Sequence, residues 1–470
     1  MARRVHRLAT AVAALLVMAV VGCGSTELAS QSTNGTRTTL QSQAPAISAD
    51  GNVVAFFSDD GALDELRPDG NGPTNTDVFV HDFTTGVTER VNYSSSGVQA
   101  NGDMWGYEPS LSGDGRYVAF PNSATNLAGS PPGGFDEIYV RDRTAHTTSI
   151  VSVSSAGAPA NAASGYPFIT ASGRYVAFES PADNLVAGDT NSSNDVYVHD
   201  RDADDDGLFD EPGAISTVRV NLSTAGAQGD VFASDVTISG DGRFAVFMSP
   251  AGNLTPDGES GRRYIYLRDR DTDVNGVYDE AGGVATTKIS FSCAAADPNC
   301  ISGIPRISAN ASTVVYVQTA TIAVDPVQQA DGTYHVYAYD RSSGSTRRLD
   351  VSTSGGPADG MSQYADASST GRYVSFWSAA TNLGPSDTNG KGDFFVRDRD
   401  TDANGVFDEP GQAKTELVSV SSAGVQHDGN GIVSRISADG RRIAFESSAT
   451  NLVPPTDNNG VWDIFRRTMP

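Results

Sequence analysis

Seven copies of one motif, four strand signals in each copy, and a strand- and turn-forming composition predict an all-β fold. The architecture they specify is a seven-bladed β-propeller of four-stranded antiparallel blades, closed by an N-terminal strand. The copies read AISADGNVVAFFS (46–58), SLSGDGRYVAFPN (110–122), FITASGRYVAFES (168–180), TISGDGRFAVFMS (237–249), RISANASTVVYVQ (306–318), DASSTGRYVSFWS (366–378) and RISADGRRIAFES (435–447). Their turn positions Gly51, Gly115, Gly173, Gly242, Ala311, Gly371 and Gly440 lie 64, 58, 69, 69, 60 and 69 residues apart. Repeats of this kind belong to solenoids and propellers.

Within each copy the elements follow in order. A short apolar stretch ending in Ile-Ser or similar gives the first strand, and an Asp-Gly-type turn suits a tight hairpin. The second strand alternates, as in RYVAF at 116–120. The third is DVFVHD, EIYVRD, DVYVHD, YIYLRD, HVYAYD, FFVRD or DIFRR. The fourth is TERVNYS, TSIVSVS, STVRVNLS, TKISFS, TRRLDVS or TELVSVS. Copy five departs most, its turn Ala309-Asn310-Ala311-Ser312 lacking Gly. The seventh copy reaches Pro470 just after its third strand. Residues 36–42 fit the fourth-strand pattern and are expected to pair with residues 461–467, removing an open edge. That division gives a leader at 1–22, a flexible tether at 23–35 and the propeller at 36–470.

The S-x-D-G-R-x-[VI]-A-F core and the [DE]-[VI]-[FY]-V-x-D third strand resemble the TolB-type, WD40-like propeller family over residues 45–470. The resemblance implies the fold and says little about function.

The formal net charge of −25 repels nucleic-acid phosphates and anionic headgroups and makes cations the natural small partners. Arg3, Arg4 and Arg7 precede an apolar run at 8–21 that is short for a bilayer span. VVGC at 20–23 resembles a bacterial lipobox, so Cys23 is expected to carry lipid at the cell envelope; an ordinary secretory signal is the alternative. Membrane contact is then expected only through that lipid, and the chain is expected to be a monomer. Cys293 and Cys300 remain, and an oxidising exterior favours a local disulfide. A zinc site is weaker, because two thiolates without a nearby His leave a tetrahedral shell unfilled.

The three 69-residue spacings belong to copies three, four and six, which insert DRDADDDGLFDEPG (200–213), DRDTDVNGVYDEAG (269–282) and DRDTDANGVFDEPG (398–411) between strands three and four. The pattern D-x-D-x-[DN]-G-x-[FY]-D-E offers the oxygens that Ca²⁺ needs, with Gly at the bend. Candidate ligands are Asp202, Asp204, Asp206, Asp210 and Glu211; Asp271, Asp273, Asn275, Asp279 and Glu280; Asp400, Asp402, Asn404, Asp408 and Glu409. The loops are similar to an EF-hand loop through position nine and lack its closing Glu at twelve. The plainer reading is a solvated polar hairpin. A second pattern, Asp189/Asn191/Asp195, Asp387/Asn389/Asp393 and Asp457/Asn459/Asp463, suits turn capping better than a metal.

No G-x-S-x-G elbow occurs, and GPSDTNGKG (384–392) misses the phosphate-loop spacing. His81 and His199 occupy a third-strand slot that holds Arg141, Arg268 and Arg397 elsewhere, which marks them as structural. The motif S-[ST]-x-G-x-[QP]-x-[DN] recurs between copies and ends at Asn101, Asn161, Asp230, Asp359 and Asp428. Propeller symmetry would set these around a channel mouth, with Trp105, Tyr107, Tyr166, Tyr364 and His427 nearby. Bracing of turns is the competing role. The favoured function is a non-catalytic binding or scaffold module for a protein or glycan of the cell envelope, stabilised by Ca²⁺. The alternative is a hydrolase or lyase acting on glycans or lactones, which a cluster of His, Arg and Glu on the first strands would favour.

Overall fold

The computed structural model describes residues 24–67, 69–72, 75–104, 108–129, 131, 134–291, 301–319, 332–384 and 387–470. These form seven four-stranded antiparallel sheets arranged as blades, six of them paired in simple chain order and the seventh completed from the N-terminus. Blade 3 shows the pattern: Gly165–Ile169, Tyr175–Ser180, Asp195–Asp200 and Ser216–Arg219. First strands are innermost. Second and third strands alternate with period two, but both faces are buried, because every blade is sandwiched between two others. Val196 and Val198 pack with Phe247 and Tyr266 of blade 4. Tyr197 between them packs with Tyr117 and Ile138 of blade 2.

The first hairpin turns need their glycine. Gly173 has φ +80°, and a Cβ there would lie 2.3 Å from the Tyr117 ring. In blade 5 Ala311 takes the same left-handed conformation at φ 58°, so the turn survives the lost glycine at some strain.

The ring closes through an N-terminal strand, but not the one expected. Ser25–Leu28 pairs with Asp463–Thr468, in register Ser25↔Thr468 to Leu28↔Phe465. Residues 36–42 are instead the return into blade 1, whose first strand is Ser42–Ile47. Residues 24–34 are therefore ordered in the last blade and are not a tether. The turn chemistry explains the shift. Gln31↔Arg37 forms the isolated bridge that Tyr93↔Gln99 forms after blade 1, with Gly35 (φ 79°) matching Gly97 (φ 80°). Ser30 Oγ donates to buried Asp463, as Asn92 and Asn221 donate to Asp77 and Asp195.

Candidate functional site

The seven first strands line a central channel. At the hairpin end it is ringed by Ala49, Gly113, Ala171, Gly240, Ala309, Ser369 and Ala438. Backbone bonds join successive blades there, among them Ala49 N–H to Gly113 O, Gly113 N–H to Ala171 O and Ala438 N–H to Ala49 O. Small residues are required by this approach: a Cβ on Gly113 would sit 3.0 Å from that of Ala171. Above the ring lies a chamber of about 230 Å³, largely apolar, with Leu111, Ile169, Ile238, Ile307 and Ile436 in its wall.

Charge enters this wall at one register. The residue before the Ile-Ser pair is Ala46, Ser110, Phe168 or Thr237 in blades 1 to 4, but Arg306, Asp366 and Arg435 in blades 5 to 7. Asp366 is committed to the backbone. Its Oδ2 accepts the Ile436 N–H at 3.0 Å, as Ser110 Oγ accepts that of Ile169. Glu108, two residues before the short first strand of blade 2 (Ser110–Leu111), reaches across the channel and accepts from both arginines. Arg306 Nη2 lies 3.3 Å from Glu108 Oε2, and Arg435 Nη2 contacts the same oxygen. Burial pushes the Glu108 carboxyl up, but Arg435 and Arg306 outweigh it and hold it below its usual range. Burial, and then the nearby Arg435 charge, push Arg306 down.

Glu108, Pro167, Phe168 and Arg306 border a second, outer cavity as well, so the ion pairs stand at the boundary between chamber and mouth. The mouth is lined by Tyr166, Asp235, Ile304 and Tyr364. Each has positive φ, 49°, 57°, 51° and 54°, at a bulge in its first strand. Bulges re-aim side chains and favour functional rims, and a β-branched Ile304 in this region is strained. A cluster of Arg and Glu, not evident from the sequence, is therefore present on and beside the first strands.

The expected recognition ring behaves differently. Asn101, Asn161, Asp230, Asp359 and Asp428 turn back to cap the connection between strands two and three of their own blade. Asp359 accepts the Thr381 N–H and Oγ at 2.7 Å each, and Asp428 does the same for Thr450 at 2.7 and 2.6 Å. Asn101 accepts from Thr125 N–H, Asn161 from Asp183 N–H, and Asp230 from Gly252 N–H. The Ser/Thr of the same motif ties blade to blade, as in Thr148 N–H to Ser95 Oγ at 2.9 Å. Turn bracing accounts for these residues. His427 is fully buried, with Nε2 3.0 Å from Asp393, and so is not part of a surface. Tyr166 and Tyr364 do reach the mouth. Trp105 and Tyr107 lie outside the described residues, as do Cys23, Cys293 and Cys300.

In the acidic loops the first Asp closes the turn. Asp202 accepts N–H groups of Asp206 and Gly207 at 3.0 and 3.1 Å, and Asp271 and Asp400 repeat this. Asp210, Asp279 and Asp408 do not point into the loops. Their positive φ (64°, 61°, 58°) turns them onto Arg201, Arg270 and Arg399 at 2.5, 2.7 and 2.8 Å. They leave the ligand set for that reason. In blades 4 and 6 an amide sits among the remaining acids: Asn275 donates to Asp273 and Glu280, and Asn404 to Asp402 and Glu409. Blade 3 has Asp206 at that position, and oxygens of Asp202, Asp204 and Asp206 come within 4.8 Å of one another. Glu211 follows in the same loop.

His81 and His199 are structural. Each Nδ1 lies 2.8 Å from a fourth-strand Thr Oγ, and Arg141 and Arg268 bond the equivalent Thr. Burial pushes both imidazoles down to about 4. The D-x-N pattern braces turns, as where Asn191 donates to Asp195 and to the Gly229 carbonyl.

No family model matches the chain, and no curated protein matches it in sequence. Solved propellers do match in fold. An oligogalacturonate lyase in complex with manganese is 12% identical, covering 95% of this chain and 96% of its own at a TM-score of 0.50. The propeller domain of the Trilobed protease from Pyrococcus furiosus is 9% identical over 92% and 97%, at 0.49. TolB from Acinetobacter baumannii is 15% identical over 67% of this chain, at 0.36, and the match spans 55% of that protein's length. The chain is a seven-bladed, all-β propeller with TolB-like proteins and enzymes among its structural neighbours.

Proposed function

We propose that the chain is a non-catalytic, extracytoplasmic binding propeller of the cell envelope that takes part of its ligand into the channel. The supporting observation is the mouth: two tyrosines on strained bulges over a half-buried Arg306–Glu108–Arg435 bridge. Aromatic rings beside fixed charges make recognition surfaces. The enzyme alternative needs a group free to move a proton, whereas these charges are held in ion pairs and by backbone N–H groups. The resemblance of VVGC at 20–23 to a lipobox supports the location. The test is capture from solubilised envelope. Wild-type protein should retain a defined partner that Tyr166→Ala/Tyr364→Ala loses at unchanged melting temperature. Retention by the double variant would refute the reading, and turnover of an envelope glycan would replace it with the enzyme one.

A structural Ca²⁺ belongs to the same proposal, supported best in blade 3, where Asp202, Asp204 and Asp206 present three carboxylates without an intervening amide. Saturating Ca²⁺ should raise the melting temperature; one site at a hundredfold excess over Kd adds about 2.7 kcal/mol. Asp206→Asn should abolish the increment. Identical calorimetric curves in EGTA and in Ca²⁺ would remove calcium from the account.

A further inference from the structure

The arginine bridge is more specific than a generic mouth. Of the carboxylates around Arg306 and Arg435, Asp366 is fixed by the N–H groups of Ile436 and Ala367, each at 3.0 Å, and Glu446 accepts the Ala44 N–H at 2.8 Å. Among the described residues Glu108 bonds only the two guanidiniums, and it keeps 26% of its side chain exposed. Its partners hold their own strand carbonyls with a second nitrogen, Arg306 at Pro305 O and Arg435 at Ser434 O, which fixes both guanidiniums in place. A pair of oriented guanidiniums matches a carboxylate. Below them lies the apolar chamber of Leu111, Ile169, Ile238 and Ile436. A sugar would leave its hydroxyls unpartnered against that wall, at a cost for each buried group.

We propose that Arg306 and Arg435 form a receptor for a carboxylate carried on an apolar group, and that Glu108 is a built-in stand-in which the ligand displaces. The apolar group enters the chamber and the carboxylate takes the oxygen positions that Glu108 now fills. Displaced Glu108 swings to the mouth, where it is solvated, so the bridge is also the gate between the two cavities. The carboxylate can come from a free small acid or from the C-terminus of a peptide ending in an apolar residue. This inference rests on the binding reading above and names the chemistry of its ligand.

The test uses the full mature chain and isothermal titration calorimetry. The probes are 3-phenylpropionate and its amide, the peptide Ala-Ala-Phe with a free and an amidated C-terminus, and glucuronate. Acids should bind about tenfold or more tightly than their amides, because a charge-assisted contact is lost in the amide. Glu108→Ala and Glu108→Gln should each tighten acid binding about tenfold or more by removing the internal competitor. Arg306→Gln or Arg435→Gln should lose it. Binding of phenylpropionate identifies a free acid as sufficient; binding of the free-terminus peptide alone assigns the site to peptide C-termini. Equal binding of acid and amide, unchanged affinity in both Glu108 variants, or glucuronate binding as well as phenylpropionate would overturn the proposal. The acid–amide comparison on the wild type needs no variant, and melting curves show whether each variant is folded. Failure of all acids while Tyr166/Tyr364-dependent capture persists would sink this inference and leave the binding reading standing.

Discussion

A chain lacking residues 25–28 should melt several degrees lower than the intact propeller and unfold less cooperatively. The strand Ser25–Leu28 is the outer strand of blade 7, supplied from the opposite end of the sequence. Without it the edge of Asp463–Thr468 stands open to solvent and to other chains. Leu28 is buried against Phe394 and Phe465, and burial of such a side chain is worth about 2–3 kcal/mol. Thr26 Oγ donates to Val420 of blade 6, and Arg466 loses the Glu27 carboxylate. With the backbone ladder at about 1 kcal/mol per bond, the total is on the order of 5 kcal/mol. The loss falls on closure, so it acts on every blade rather than one. Differential scanning calorimetry of the intact and shortened chains decides. Coincident transitions would mean that the strand does not hold the ring, and a new concentration-dependent dimer would locate the cost at the exposed edge.

The misplacement of that strand in the sequence reading has a physical cause. A four-residue outer strand buries only alternate residues, so STEL carries too little pattern to be recognised. The informative signal lay just after it. STNG at 32–35 is the same turn as SSSG at 94–97, and that turn always follows a fourth strand. The blades themselves were legible because burial on both faces forces near-continuous apolar runs at a fixed spacing.

The site was legible in part. Arg306 and Arg435 stood in the sequence at a register where other copies carry Ala, Ser, Phe or Thr, and a charge on an innermost strand is a signal in itself. Glu108 gave no such sign, since its arginines lie 198 and 327 residues away. The recurrent Asp and Asn of the connections drew notice for the wrong reason. Their spacing of 22 to 24 residues to the backbone N–H groups they cap shows a local brace, repeated in five of the blades. The acidic loops divide the same way, into an Asp that closes the turn, an Asp that neutralises an arginine, and the acids between them.

Stability should fall as pH rises from about 5 to 8, the reverse of ordinary acid denaturation. Burial pushes the carboxyl of Glu179 up to about 8 and that of Glu446 to about 7. The two occupy the same place in blades 3 and 7, and each accepts the N–H of a positive-φ bulge residue in the next blade, Asp235 and Ala44. Glu137 in blade 2 is likewise pushed to about 8 by burial. In the unfolded chain these groups lose their protons near 4.3. Between that pH and their folded values the native state holds protons that the unfolded state has released. Each group then subtracts up to about 1.4 kcal/mol per pH unit as pH rises. Below pH 4.3 both states are protonated and the full contribution is present. Glu179→Gln keeps the acceptor for the Asp235 N–H and removes the titration. The variant should match the parent near pH 5 and exceed it at pH 8, by an amount on the order of 3 kcal/mol. Chemical denaturation at the two pH values measures it. A difference between variant and parent that is the same at both would show that Glu179 is ionised in the folded protein and that its burial is not what sets the pH profile.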